Sequence, residues 1–163
     1  MLVSALASLK DRNWQLTIIG ASDRAPDTTR ALQAQIKAAG LEGRILLAGA
    51  VGENALAEAY DKADLFVMPS LFEGYGMVLT EALARALPIL CTTGGAAAET
   101  APDAAALKVP PGDIAAFAEM LGKLIDDRAL RDGMANAAWA AADDLPRWRD
   151  TATIVAQTCR KVM

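Results

Sequence analysis

Five short apolar segments alternate along the chain with longer segments whose apolar residues recur at helical spacing, which predicts alternating strands and helices. The short segments are rich in Ile, Leu and Val and are apolar on both faces. Strands of this kind are typical of a parallel sheet covered by helices on both sides, so we expect an α/β fold. The predicted strands are Leu16–Gly20, Ile45–Gly49, Leu65–Met68, Pro88–Thr92 and Ala105–Val109.

The predicted helices fill the intervals between these strands. Residues 1–10 form an amphipathic segment with no capping residue before it, which suggests that the chain begins inside an element. We expect Asp27, Asn54 and Asp113 to act as N-caps, because their side-chain oxygens can accept from the first free amides of a helix. The other predicted helices cover residues 28–39, 54–62, 77–87, a short segment after Gly95, 113–126, 128–143 and 149–162, the last after a break at Pro146.

The composition fits one domain with an aliphatic core. The 163 residues carry a net charge of −4 from 16 basic and 20 acidic residues, with no basic run, which argues against a nucleic-acid partner. A small anion is still compatible with this charge, because a helix N-terminus supplies a local positive potential. The sequence contains no His, which excludes His-based general base catalysis and most zinc sites.

The cysteines and the apolar segments indicate the cellular compartment in which we expect the protein. Cys91 and Cys159 lie far apart in no metal-binding spacing, and we expect them to be reduced, buried thiols of a cytoplasmic protein. The N-terminal residues do not have the pattern of a signal peptide, and no apolar run is long enough to span a membrane.

Glycine-containing turns follow four of the five predicted strands. They contain Gly20, Gly49, the segment Glu73–Gly76 and the pair Gly94–Gly95. Ligands of parallel α/β sheets bind outside the carboxyl ends of the strands. The sequence therefore predicts a ligand site along this edge.

The central turn combines glycines with the start of a helix. Gly74 and Gly76 allow a backbone to approach a ligand closely and to adopt turn conformations that a β-carbon would oppose. The amides of Tyr75, Gly76 and Met77 begin the next helix, so their N–H groups are free to bind a diphosphate or a sugar hydroxyl. The alternative is that these are ordinary turn glycines.

Two carboxylates accompany this turn. Glu81 lies opposite the apolar face of the helix, where an ionised carboxylate can accept two hydrogen bonds from a vicinal diol such as a ribose. Glu73 can bind a hexose in the same way, or balance positive charge that develops at an anomeric carbon. Two simpler roles stay open: Glu81 pairs with Arg85 one helical turn away, and Glu73 interacts only with the helix dipole.

Several motifs together resemble the group 1 (family 4) retaining glycosyltransferases. Two glutamates separated by seven residues are the signature of that family, and Glu73 and Glu81 have this spacing. The resemblance covers the whole chain, from the strand that ends in Gly20 to the terminal helices that include Trp148. The other matching segments are Phe72–Met77, Glu81–Ala82, Leu87–Ile89, Gly94–Ala96, Glu99–Thr100 and Val109–Asp113.

The resemblance implies an architecture and an activity. Members of the family have the GT-B fold, in which two Rossmann-like domains face a cleft, and this chain resembles only the C-terminal, nucleotide-sugar-binding domain. Residues 1–163 would then be that domain, truncated at its N-terminus and inactive without its acceptor-binding partner domain. The family transfers a sugar with retention of configuration to a saccharide or lipid-linked acceptor, without a metal or cofactor, in the cytoplasm or at the inner face of a membrane.

The resemblance also implies roles for single residues. Glu73 would contact the hydroxyls of the donor sugar, and Glu81 would hold the ribose; these two are the expected catalytic-site residues. The backbone of Gly49 and Val51 would face the base. The amides expected to hold the sugar and the distal phosphate are those of Gly74, Tyr75, Gly76, Met77 and Val78.

The chain departs from the family pattern at its start. The family begins this domain with a strand and a loop whose Arg and Lys clamp the diphosphate, and both are absent here, at a cost of roughly 1.5–3 kcal/mol for each lost contact. The absent strand is central in the family's sheet, so its neighbours would either pair directly or keep unpaired edges. We expect a rearranged or dimeric sheet, or a strand supplied by another copy.

Two other functions compete with this interpretation. The chain is compatible with a non-catalytic α/β binding or structural module. A dinucleotide-dependent oxidoreductase is disfavoured, because Ile18–Ser22 lacks the Gly-x-Gly-x-x-Gly spacing. The sequence leaves the donor base, the sugar and the acceptor undetermined.

Overall fold

The computed structural model describes residues 1–145 and 148–162, and over these residues the predicted alternation of strands and helices is confirmed. In chain order the elements are α1 Leu2–Ala7, β1 Leu16–Ile19, α2 Pro26–Ala38, β2 Ile45–Gly49, α3 Glu53–Asp61, β3 Phe66–Met68, α4 Met77–Ala84, β4 Ile89–Thr92, α5 Ala97–Thr100, β5 Ala106–Val109, α6 Ile114–Asp126, α7 Arg128–Ala142 and α8 Trp148–Val162.

The helix starts only partly follow the predicted caps. The carboxylate of Asp113 accepts from the amide of Ala116 at 2.9 Å, which confirms the cap of α6. The other two predictions are wrong: α2 begins at Pro26, which suits a first helical position because it has no N–H to satisfy, and Asn54 lies inside α3. The predicted break at Pro146 lies outside the described residues.

The two cysteines differ in exposure. Cys91 on β4 is completely buried, as predicted, whereas Cys159 on α8 is exposed, so the expectation of a second buried thiol is wrong. Burial raises the pKa of Cys91 to about 11, while the charge of Lys108 acts in the opposite direction. Cys91 is therefore a core residue with little thiolate at neutral pH.

The five strands form two parallel sheets rather than one. β1 pairs with β2, and β4 pairs with both β3 and β5. Within the described part of the chain, no strand of the first sheet pairs with a strand of the second. The family resemblance implied either direct pairing across the break or unpaired edges; among the described residues direct pairing does not occur, and each sheet keeps unpaired edges.

Helices cover both faces of the sheets and form two cores. The first core contains residues of α1, α2 and α6 together with one face of the strands: Val3, Leu6, Ile36, Ile45, Leu90, Val109, Phe117, Leu121 and Leu124. The second core contains residues of α4, α5 and α7 with the other face: Met68, Leu79, Leu83, Ile89, Cys91, Ala97, Ala106 and Ala138. Neighbouring residues of β4 alternate between the two cores, as the two-residue period of a strand requires.

The helix positions identify the strands on either side of the break. α2, which joins β1 to β2, packs in the first core, whereas α4, which joins β3 to β4, packs in the second. Connections between parallel strands are almost always right-handed, so helices on opposite faces mean that the two sheets extend in opposite directions. β1 and β3 are therefore the inner strands, and the crevice between them is the kind of switch point at which α/β sheets bind ligands.

Candidate functional site

The turns that follow β3 and β4 are joined through their backbones. Glu73 and Gly95 form an isolated parallel bridge. The amide of Glu73 donates to the carbonyl of Gly94 at 3.1 Å, and the amide of Ala96 donates to the carbonyl of Glu73 at 2.8 Å. The position of Glu73 is therefore determined by the second glycine-containing turn as well as by its own.

Gly94 and Gly95 make this close approach possible. A β-carbon on Gly94 would lie 2.3 Å from the carbonyl oxygen of Leu71, and one on Gly95 would lie 2.2 Å from that of Glu73. Gly95 also has φ +66°, which L-residues with a β-carbon rarely adopt. The sequence placed Gly94 and Gly95 at the edge predicted to bind a ligand; in the structure, these two glycines leave room for the backbone of the neighbouring turn.

Two threonine hydroxyls add to the link, and the sequence did not single out either role. Thr92, at the end of β4, is fully buried, and its hydroxyl donates to the carbonyl of Ser70 after β3. The hydroxyl of Thr100 lies 2.7 Å from the carbonyl oxygen of Tyr75 and 2.9 Å from that of Ala96. Both contacts hold the Glu73 turn against the β4 side of the site.

The turn ends in the predicted helix start. Gly76 has φ +83° and precedes Met77, the first residue of α4. Within the described residues, the backbone N–H groups from Gly74 to Val78 donate to no protein acceptor. Five consecutive free amides at the positive end of a helix form a suitable surface for an anion or for hydroxyl oxygens.

The carboxylate of Glu73 lies half-buried beside these amides. It has no hydrogen-bond or ion-pair partner among the described residues, and α4 has no side-chain N-cap. Glu73 therefore does not cap α4. An unpaired, half-buried carboxylate beside free amides is available to accept hydrogen bonds from a ligand.

Glu81 lies on the exposed side of α4, and its partner is a residue that the sequence did not assign to the site. The hydroxyl of Tyr60 on α3 donates to Oε2 of Glu81 at 2.9 Å. Arg85 instead pairs with Asp61, with Nη1 2.7 Å from Oδ1, so the alternative in which Glu81 pairs with Arg85 is wrong. A half-buried tyrosine needs a hydrogen-bond partner for its hydroxyl. This need is the one feature that could have pointed to Tyr60 as a residue of the site.

Burial raises the pKa of Tyr60, and the hydrogen bond to Glu81 and its negative charge raise it further. The nearby Arg85 guanidinium acts in the opposite direction. Tyr60 therefore stays protonated at neutral pH and donates its hydroxyl proton to Glu81.

Gly49 and Val51, the residues predicted to face a base, lie at the end of β2 in the other sheet: Gly49 is its last residue, and Val51 follows two residues later. Gly49 has φ +69°, and its carbonyl accepts from the amide of Gly20 at 2.9 Å. No described hydrogen bond joins this turn directly to the Glu73 turn. The connection runs through α3, which begins at Glu53, two residues after Val51, and carries Tyr60 to Glu81.

Two cavities lie on the second-core side. One of about 280 Å³ lies between α3 and α4 and is lined by Glu53, Leu56, Ala57, Tyr60, Glu81, Ala84 and Arg85. A larger one of about 360 Å³ is lined by Asp64, Pro88, Arg128 and Arg131 among others. Asp64 and Pro88 precede β3 and β4, so the larger cavity lies at the end of the sheet opposite the glycine-containing turns and contains none of the predicted site residues.

The described residues contain neither a candidate metal site nor a helix that could span a membrane. Over residues 1–145 and 148–162, no three or more His, Cys, Asp or Glu side chains are grouped so that they could ligate a metal. No helix in the same ranges has the length and apolar character needed to cross a membrane.

Comparison with known proteins gives a family match. The model of the family "Glycosyl transferases group 1" matches residues 1–127. A curated relative, the D-inositol 3-phosphate glycosyltransferase of Arthrobacter sp. (strain FB24), is 34% identical over 163 aligned residues, which are 97% of this chain and 38% of the relative. The chain thus spans less than two fifths of the length of this relative.

Solved structures agree with this match. HepE of Anabaena, crystallised in complex with UDP, is 25% identical with a TM-score of 0.81, and the match covers 99% of this chain and 43% of HepE. The C-terminal domain of a group 1 family glycosyl transferase (LpcC) of Francisella tularensis is 28% identical with a TM-score of 0.75, and here the match covers 85% of this chain and 74% of that domain. The fold is therefore the Rossmann-like α/β fold expected from the sequence.

Proposed function

Because the chain belongs to the group 1 glycosyltransferases, we propose that it is the C-terminal donor-binding domain of such an enzyme and binds a nucleoside-diphosphate sugar at the β3–α4 turn. The observation that carries this proposal is the run of five free amides from Gly74 to Val78 beside the unpaired carboxylate of Glu73. Because the chain belongs to this family, the alternative function as a dinucleotide-dependent oxidoreductase is excluded. The similarity to the LpcC C-terminal domain supports the assignment to one domain.

The amides and Glu73 would bind different parts of the donor. The N-terminus of α4 favours negative charge, so the amides of Gly74, Tyr75, Gly76, Met77 and Val78 take the distal phosphate and the adjacent sugar oxygens. Glu73 accepts from the sugar hydroxyls, and its charge stabilises the positive charge that develops at the anomeric carbon. The structure of HepE with UDP supports a nucleoside diphosphate as the ligand class.

Glu81 would bind the ribose. Its Oε2 accepts from Tyr60, while its other oxygen has no partner among the described residues and is available to the diol. A carboxylate has enough lone pairs to accept from both ribose hydroxyls and from Tyr60 together. The backbone of Gly49 and Val51 would contact the base, so side chains contribute little to the choice of base.

The complete enzyme would transfer the sugar with retention of configuration to a saccharide or lipid-linked acceptor bound by a separate N-terminal domain. We expect the reaction to need no metal or cofactor and to take place in the cytoplasm or at the inner face of a membrane. We propose that residues 1–163 alone bind the donor without transferring it, because transfer also needs the acceptor-binding domain and the Arg and Lys that the family resemblance assigns to the diphosphate clamp.

The crevice between β1 and β3 supports a further part of the proposal. Each of these strands is paired on one side only, and an unpaired strand edge presents free N–H and C=O groups to another strand. We propose that the isolated chain associates with a second copy through these edges. Light scattering during size-exclusion chromatography should show a dimer whose fraction rises with concentration, and a monomer at every concentration would contradict the association.

The binding proposal is tested by titrating the chain with UDP, GDP and ADP. We expect one diphosphate to bind, and Glu81→Ala to weaken it by about tenfold or more, the effect of losing charge-assisted hydrogen bonds. Glu58→Ala is the matched control, because it removes an exposed carboxylate of α3 that pairs only with Lys62. Equal affinity in the unmodified and Glu81→Ala chains would exclude the assigned site.

The catalytic part of the proposal needs the complete enzyme. There, Glu73→Gln should lower turnover strongly while the thermal stability is kept, because the amide preserves the shape of the side chain and removes its charge. Near-normal turnover would exclude the role of Glu73 in transfer.

A further inference from the structure

The ring of Tyr60 contacts two neighbouring side chains, which restrict the position of its hydroxyl. The ring of Phe66 packs beside it, with 6.1 Å between centroids and 30° between planes. The guanidinium of Arg85 lies over the ring at 5.5 Å from the centroid. Arg85 is itself fixed to α3 by hydrogen bonds to Asp61 Oδ1 at 2.7 Å and the Ala57 carbonyl at 3.2 Å.

The hydroxyl of Tyr60 donates to one oxygen of the Glu81 carboxylate, which has no other partner among the described residues. Glu81 is exposed on α4, where a long side chain samples several rotamers and would lose this freedom on binding a ligand. The 2.9 Å hydrogen bond to Oε2 restricts the carboxylate before any ligand arrives. A tyrosine hydroxyl is protonated at neutral pH and a carboxylate oxygen can only accept, so Tyr60 is the donor in this hydrogen bond.

We propose that Tyr60 is a positioning residue that orients the carboxylate of Glu81 toward the ribose of the donor nucleotide. Tyr60 does not touch the ribose; it acts only through Glu81. The inference rests on the proposed function, in which Glu81 binds the ribose diol.

The same hydrogen bond joins the two halves of the nucleoside site. α3 begins two residues after Val51, at the turn proposed to face the base, and Tyr60 lies near its other end. α4 carries Glu81. The hydrogen bond between Tyr60 and Glu81 therefore links the helix that follows the proposed base-binding turn to the helix that carries the proposed ribose-binding carboxylate.

The test compares two proteins with two ligands. Tyr60→Phe keeps the ring and its contacts with Phe66 and Arg85 and removes only the hydroxyl. The ligands are the one of UDP, GDP and ADP that binds most tightly and its 2′,3′-dideoxy analogue, which has no diol. We expect Tyr60→Phe to weaken the binding of the diphosphate by about threefold to tenfold, the effect of one hydrogen bond. The affinity for the dideoxy analogue should stay unchanged.

Variants at Glu81 and Lys62 complete the experiment. In a Glu81→Ala background, Tyr60→Phe should have no additional effect, since nothing is left to orient. Lys62→Gln removes the ion pair between Lys62, at the end of α3, and Glu58 on that helix. It should change the affinity for neither ligand. Equal thermal stability of unmodified chain and Tyr60→Phe shows that the fold is kept.

The outcomes separate the two proposals. Equal weakening of both ligands by Tyr60→Phe would mean a general structural role and would overturn the positioning role. Weakening by Glu81→Ala without any effect of Tyr60→Phe would overturn it too, and would leave the proposed function intact. No effect of Glu81→Ala, or no diphosphate binding at millimolar concentration, would contradict both proposals.

Discussion

Gly95 and Glu73 lie so close that a β-carbon on Gly95 would be 2.2 Å from the carbonyl oxygen of Glu73. The two residues follow different strands, and the bridge between them holds the turn that carries the free amides and the unpaired carboxylate. The second glycine-containing turn thus contributes to the site by positioning the first. This relationship gives a test that changes no residue proposed to bind the ligand.

Gly95→Ala should displace the Glu73 turn and weaken donor binding. The added methyl group requires a backbone shift, at about 1–3 kcal/mol, and the left-handed φ of +66° adds about 1–2 kcal/mol for a residue with a β-carbon. Urea unfolding should show a free energy of unfolding lowered by about 2–5 kcal/mol, and titration should show weaker diphosphate binding. Gly133→Ala is the control, because nothing lies within 4 Å of a β-carbon there and helix α7 gains about 0.4–1 kcal/mol. Full affinity in Gly95→Ala would show that the bridge does not position the site.

The two thiols should react at very different rates. Cys91 is completely buried and burial raises its pKa to about 11, whereas Cys159 is exposed on α8. A thiol reagent near neutral pH should modify one thiol quickly and the second only after unfolding in urea. Cys159→Ser should remove the fast reaction entirely. Fast modification of both thiols in the folded chain would contradict the packing of β4 in the second core.

The ionisation of Tyr60 should depend on Glu81. A Tyr75→Phe background leaves Tyr60 as the only tyrosine, so ultraviolet absorbance follows its titration alone. Its pKa should lie above the ordinary 10.0, and Glu81→Gln should lower it, although burial, the first cause, keeps it raised. An unchanged pKa in Glu81→Gln would mean that the hydrogen bond is not formed in solution.

The same shift has a consequence for stability. Above pH 10.0 the unfolded chain loses the Tyr60 proton while the folded chain keeps it, so the free energy of unfolding falls as the pH rises through this window. Below pH 10.0 the folded and the unfolded chain both keep the proton, so the contribution of Tyr60 to the free energy of unfolding is fully present. Tyr60→Phe, which has no such group, should show a smaller fall over the same range.

Local features of the fold followed from the sequence because their causes are local. The short apolar strands, the cap at Asp113 and the helix start after Gly76 each depend on residues a few positions apart. The resemblance to the family predicted the unpaired strand edges that the two separate sheets show. Asp27 and Asn54 failed as caps because both helices begin earlier: Pro26 takes the first position of α2, and Gly52 is the N-cap residue of α3.

Contacts between distant elements did not follow from the sequence. Glu81 had a plausible partner one helical turn away in Arg85, yet its partner is Tyr60, 21 residues earlier on another helix. Gly94 and Gly95 have the composition of a ligand-binding turn, and only the backbone of residues 71–73 beside them explains the need for glycine. Both depend on how helices and turns pack across the sheet, which one sequence does not encode in any local pattern.

If the β3–α4 turn binds a nucleoside diphosphate, the chemical shifts of its amides should change on binding. A ¹⁵N-labelled chain is titrated with UDP, GDP and ADP while its amide resonances are followed by NMR. We predict that one diphosphate shifts the amides from Gly74 to Val78 and that of Glu81 most strongly. If these amides stay unchanged, or if the largest shifts fall around Arg128 and Arg131 at the opposite end of the sheet, the assigned site is wrong.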